Sequence, residues 1–164
     1  MATKTLDAMA AGGLHDHLGG GFHRYSTDAA WLVPHFEKML YDNGQLMRVY
    51  ARAYSLTGNQ DYRRVVEGIF QWLGREMTSR EGGFYSALDA DSLNEQGHAE
   101  EGLFYVWTPA QIIDAVGETD GKLFIDVYGI TEEGNFRDEA SGTATGHNIP
   151  FLAGPLAEKA EELQ

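Results

Sequence analysis

Two helical patterns separated by three residues constrain this chain more than any other feature in it. From Pro34 to about Leu56 the apolar positions Phe36, Met39, Leu40, Leu46, Met47, Tyr50, Ala53 and Tyr54 recur mostly at three and four, the spacing of a helix with one packed face. From about Gln60 to Met77, Tyr62, Val65, Val66, Ile69, Phe70 and Leu73 do the same. Only TGN at 57–59 lies between, so the two helices are expected to run antiparallel as packed neighbours. One helix pair leaves apolar faces bare, and something in this chain or beside it must cover them.

The rest of the chain supplies candidates for that cover. TKTLDAMAA at 3–11 reads as a helix with Leu6, Met9 and Ala10 on one side, stopped by Gly12 and Gly13. An ordered glycine-rich loop, LHDHLGGGFHRYSTD, follows it. After Thr78, EGGFYSALDADS and EEGLFYVWTP read as two short strands of a small hairpin or an irregular pair. Thr108 and Pro109 start a further helix that Gly117 ends, another runs from about 120 to 128, and PLAEKAEELQ begins one more. Residues 131–148 lack periodicity and read as a long polar loop, with disorder as one possible state. The fold class is therefore mostly α with a small β-hairpin insertion, in one unit of 164 residues.

Composition narrows function. An apolar fraction of 43% with 8 Phe, 8 Tyr and 3 Trp is ample for a packed core. A formal net charge of -13 argues against nucleic acid or an anionic membrane surface as partner, since both require clustered Lys and Arg. No apolar run is long enough to span a bilayer and MATKTLDAMAAGG lacks the features of a signal peptide, so the cytoplasm is the expected location. The chain has no cysteine, which removes thiol chemistry and disulfides from it.

Chemistry-bearing groups concentrate in three places. If 34–56 is one helix, His35, Lys38 and Asp42 share a flank and Glu37 and Tyr41 the adjoining one. On an outer helix Lys38 and Asp42 would form an ordinary surface pair; on an inner one these groups would build a polar pocket. The loop offers His15, His17 and His23, whose spacing matches no compact metal signature, so they are expected to bond backbone carbonyls, with no metal or cofactor implied. Asp89 and Asp91 share a face if extended, as an acid and base pair or Ca or Mg ligands, or else they cap a turn. Phe104, Tyr105 and Trp107 offer either a stacking surface for a sugar ring or core aromatics.

GGLHDHLGGGFHRYSTDAAWLVPHFEKMLYDNGQL, GGFYSALDADS and EGLFYVWTP closely resemble the carbohydrate-type domain of the thioredoxin-domain-containing proteins related to spermatogenesis-associated protein 20. The resemblance runs from near Thr5 to near Phe136. It implies a thioredoxin-like domain followed by an α/α toroid of the six-hairpin glycosidase type, similar to acylglucosamine 2-epimerases and cellobiose epimerases. A toroid of about a dozen helices needs roughly twice this length, so the chain reads as a partial toroid, expected to dimerise through exposed helix faces. The resemblance also implies that the motif helix faces the central cavity, with the glycine loop and DADS at its mouth. The histidine pair of those epimerases has no matching motif here and is not carried over.

The expected function is carbohydrate binding or conversion, as in a sugar epimerase or isomerase or a glycoside hydrolase. His35, Glu37, Asp42, Asp89 and Asp91 are the catalytic candidates, with Glu37 or Asp91 as acid or base, and Arg24, Tyr41, Trp107 and His23 are the substrate-binding ones. The expected partners are a sugar or sugar derivative and a thioredoxin-like neighbour. The rival from another class is a non-catalytic scaffold, whose polar motif stitches inner helices together.

Overall fold

The computed structural model describes residues 2–137 and 142–162. Helix α1, Ala2–Ala11, leads into the glycine loop, and the chain then makes a short antiparallel pairing of β1, Tyr25–Ser26, with β2, Pro34–His35. Strand β3, Lys38–Met39, runs directly into α2, Leu40–Thr57, which is followed by α3, Gln60–Glu76. Strand β4, Ala87–Leu88, returns to pair with β3, and β5, Asp91–Leu93, forms a hairpin with β6, Ala99–Glu101. A 3-10 turn at Leu103–Tyr105, then α4, Pro109–Val116, α5, Glu118–Val127, and α6, Leu156–Glu162, complete the order.

The helix pair forms as its pattern requires. Gly58 ends α2 with φ 71°, a left-handed conformation that costs a residue with a Cβ, and Asn59 caps α3 by accepting from the Asp61 amide. Between them α1, the glycine loop, α2 and α3 bury Leu6, Leu14, Phe22, Tyr50, Tyr62, Val65 and Ile69. Trp72 belongs to the buried face of α3, whereas Phe70, assigned to that face by spacing, is 70% exposed. A second cluster of Phe36, Ala90, Val106 and Ile149 lies beneath the strands. At α4 Thr108 and Gln111 form a reciprocal capping box with Pro109 in the first turn.

Two expectations fail, for different reasons. The helix expected from Pro34 begins at Leu40, and 34–39 is extended. There Pro34, Phe36 and Lys38 are buried while His35, Glu37 and Met39 are half-buried, the period of two that a strand imposes. Pairing with β1 and β4 and a bond from the Phe36 amide to Glu101 Oε1 at 3.2 Å outcompete helix formation. The flank assignments for His35, Lys38, Asp42, Glu37 and Tyr41 fall with that helix. Likewise Leu103–Tyr105 is a 3-10 turn, because Gly102 at φ 76° turns the chain out of β6.

The polar loop is tied down where it is described. Asn148 Oδ1 accepts from the Thr131 amide at 2.9 Å and the Asn135 amide at 3.2 Å, while Nδ2 donates to the Thr131 carbonyl at 2.9 Å. Residues 138–141, within the segment for which disorder was one possible state, lie outside the described residues. Among the described residues no helix is long and apolar enough to cross a membrane.

Candidate functional site

The extended 34–39 segment divides the candidate residues between two faces. On the outward face His35 Nδ1 meets Glu101 Oε1 at 2.6 Å, and its Nε2 lies 3.6 Å from Glu37 Oε2. Arg24 Nη1 donates to the same Glu37 oxygen at 2.8 Å. The Tyr25 ring stacks on His35 at 5.1 Å and 26°, placed there by the Tyr25 to His35 register of β1 and β2. Tyr41 and Glu37 favour the charged form of Arg24, and both lie beside it. Asp42, in the first turn of α2, completes the group: burial raises its pKa, the Arg24 charge opposes that and Glu37 adds to it. Arg24, His35, Glu37, Tyr41 and Asp42 are therefore brought together, although no helix flank unites them.

Glu101 was not a candidate from sequence, and it is the residue that fixes His35. Its only sequence signal is its place in EEGLFYVWTP, and 66 residues separate it from His35. An imidazole held at Nδ1 by a carboxylate has its ring orientation fixed, with Nε2 on the opposite side. The network is half-open to solvent, with Glu37 at 25% and Arg24 at 42% side-chain exposure.

Asp89, just before β5, and Asp91, at its start, are both exposed. Asp89 Oδ1 accepts from the Asp91 amide at 3.2 Å, the self-capping turn that was the plainer reading of DADS. Asp91 stands opposite Glu101 in the β5 and β6 register, at the edge of the outward network.

The inward face is closed and differently charged. Lys38, 1% exposed, donates to Asp16 Oδ2 at 2.6 Å and to the Gly20 carbonyl at 2.9 Å, with its ammonium 5.0 Å from the Tyr105 ring centre and 5.5 Å from that of Trp72. Its partner is Asp16, not Asp42, because residue 38 points inward from a strand. Burial would raise the Asp16 pKa, but the Lys38 charge and hydrogen bond outweigh it and hold the carboxyl below its ordinary value. Burial lowers Lys38, and Asp16 offsets part of that. The glycine loop makes this approach possible. Gly20 and Gly21 have φ of 77° and 78°, and a Cβ on Gly20 would meet the Gly68 carbonyl oxygen at 2.6 Å.

His23 and Trp107, the other two candidates, line a separate cavity of about 290 Å³ with His15, Asp16, His17 and Tyr105. As expected, two of the loop histidines bond backbone carbonyls, His23 Nδ1 to Phe36 at 2.9 Å and His17 Nε2 to Gly12 at 3.0 Å. Burial pushes His15 and His23 down to about 3 and lowers His17 as well, so all three imidazoles are neutral at pH 7. Both ring nitrogens of His15 are enclosed without a hydrogen-bond partner among the described residues. Among those residues no group of three or more His, Asp or Glu side chains is arranged to hold a metal ion.

This chain is similar to spermatogenesis-associated protein 20. The Homo sapiens protein is 46% identical over 161 residues, covering 91% of this chain, and the Mus musculus protein is 45% identical over the same span. An uncharacterized Caenorhabditis elegans protein is 39% identical over 145 residues. The chain spans about a fifth of the length of these relatives, 20% in each case. No family model matches it. Among solved structures, the cellobiose 2-epimerase of Spirochaeta thermophila aligns with 89% of this chain and 38% of its own, at 17% identity and a TM-score of 0.40. With spermatogenesis-associated protein 20 the similarity takes in both faces of the 34–39 segment, since it extends through nine tenths of the chain.

Proposed function

We propose that the chain supplies one wall of a carbohydrate-binding or carbohydrate-converting site, in a partial α/α toroid that the rest of a longer protein completes. The epimerase and glycoside hydrolase classes fit the chemistry. The observation that carries this reading is the half-open network in which Glu37 and Glu101 flank His35 while Arg24 holds Glu37. A sugar hydroxyl both donates and accepts, and this network offers carboxylate acceptors, a guanidinium donor and an imidazole within one small area. The exposed rings of Tyr25 and Tyr41 flank it and suit the apolar face of a pyranose. The net charge of -13 disfavours an anionic ligand and is compatible with a neutral sugar.

In this reading His35 or Glu37 accepts a proton and Asp42, whose pKa is raised, returns one. Asp91 lies at the rim and contacts substrate rather than performing proton transfer, and Asp89 serves the turn. The test is a calorimetric screen of neutral sugars and sugar phosphates against this chain and a full-length relative, repeated with Glu37→Gln and His35→Ala. A ligand whose binding weakens about tenfold or more in both variants supports the site, since each removes a hydrogen bond to a charged or polar partner. If no sugar binds, or if wild type and variants bind alike, the reading is wrong.

A further inference from the structure

We infer that the cavity between the glycine loop and the 3-10 turn is a second ligand site, for a small uncharged ring bearing several hydroxyl or amide donors. It goes beyond the reading above, because its walls contact the inward residues of the 34–39 segment rather than the outward network. His23 bonds the Phe36 carbonyl, and Tyr105 stacks on Phe36 at 5.8 Å and lies under the Lys38 ammonium.

Size comes first. At about 290 Å³ the cavity is at the lower end of ligand pockets, which run from roughly 300 to 1,000 Å³, so it is large enough for one ring. Charge comes next. Lys38 is neutralised by Asp16, and Arg75, at the edge, by Glu76 at 2.7 Å. With the imidazoles neutral, an ionic ligand would lose its hydration and find no free counter-charge there.

Hydrogen-bonding polarity then sets the ligand's chemistry. A carbonyl only accepts, so His23 Nδ1 and His17 Nε2 carry the protons in their bonds to Phe36 and Gly12. His23 Nε2 and His17 Nδ1 are consequently the lone-pair nitrogens of two residues that line the cavity. His15 also lines the cavity, but its two ring nitrogens, one donor and one acceptor in the neutral ring, are enclosed and leave the balance unchanged. A wall rich in acceptors requires a ligand rich in donors. Tyr105, Trp107 and Phe104 supply the ring contacts, and Phe104, 71% exposed, stands at the rim where an entering ligand would cover it.

The experiment is a titration of the ¹⁵N-labelled chain with methyl β-glucopyranoside, glucosamine and glucose 6-phosphate, reading the indole N–H of Trp107. The neutral glycoside should shift that signal, and the cationic and anionic sugars should bind at least about tenfold more weakly. His23→Phe, which keeps a ring but removes the acceptor, should weaken the glycoside about tenfold. Glu37→Gln should leave the Trp107 response intact, which separates this site from the outward one. An unmoved Trp107 signal, a charged sugar that binds as well as the glycoside, or unchanged affinity in His23→Phe would overturn the proposal. If His23→Phe does not fold, Phe104→Ala at the exposed rim decides it: several-fold weaker binding supports the site, and equal binding refutes it.

Discussion

Phe36 and Lys38 point inward from the 34–39 segment, while His35 and Glu37, their immediate neighbours, point outward. Both faces carry an ion pair with nearly the same geometry, Lys38 to Asp16 at 2.6 Å and Arg24 to Glu37 at 2.8 Å. Their surroundings differ. The inner pair sits among the rings of Trp72 and Tyr105 with Lys38 1% exposed, whereas the outer pair is reached by water on both partners. Equal bond lengths therefore conceal unequal roles: the inner charges hold the glycine loop against the helix pair, and the outer ones remain available to a ligand.

Removing one inner charge should have the largest effect. Lys38→Met leaves Asp16 buried without its counter-charge, so a loss of about 3–5 kcal/mol is expected in urea or guanidinium unfolding. The double variant Asp16→Asn with Lys38→Met should recover most of that loss. A single variant within about 1 kcal/mol of wild type would show that the inner pair behaves like the outer one, and the contrast would collapse.

The next effect is a pH dependence that comes mainly from the buried histidines of the inner side. His15 and His23 have folded pKa values of about 3 against an ordinary 6.5, so below about 6.5 the unfolded chain takes up protons that the folded chain refuses. Their contribution is fully present above that pH and declines as pH falls towards 3. With His17 lowered in the same sense, stability should fall steadily as the pH drops from 6 to 4. Denaturant midpoints across that range check this, and His23→Phe should reduce the slope. An undiminished slope in that variant would place the titrating groups elsewhere.

The two faces also explain what was legible in the sequence. The helix pair, its TGN break and the Thr108 to Gly117 helix depend on local periodicity and capping, and the structure has them within a few residues. The 34–39 segment was misread because Phe36, Met39 and Leu40 fit a helix as well as a strand, and only pairing with residues 25–26 and 87–88 decides between them. Arg24, His35, Glu37, Tyr41 and Asp42 nevertheless lie close together, through a strand and the start of α2 rather than through one helix flank. Asp16 and Glu101 escaped notice because their partners lie 22 and 66 residues away, and nothing local marks either carboxylate.

Asn43 tests whether the glycine loop is held by polar groups or by packing. Fully buried on α2, it donates to the Phe22 and Met39 carbonyls at 2.9 and 3.0 Å and accepts from the Phe22 amide at 2.7 Å. Asn43→Ala strands a buried amide and a buried carbonyl, for which about 1–3 kcal/mol is expected. Hydrogen exchange at the Phe22 amide should accelerate by the factor that the measured loss implies. A stability loss with Phe22 still protected would assign the effect to helix packing instead.

The smallest effect is expected from Arg24→Ala on the outward face. Its pair with Glu37 is exposed at 42% and 25%, so the variant should leave stability nearly unchanged. Salt should act in the same sense, because exposed charges are screened within about 10 Å at 0.1 M while buried ones are not. Raising NaCl to about 1 M should therefore erase the difference between Arg24→Ala and wild type, yet leave the Lys38→Met loss nearly unchanged. A salt-insensitive loss at Arg24 as large as that at Lys38 would mean that the outward network is structural, and would remove the physical basis for assigning the ligand-facing role to Arg24, Glu37 and His35.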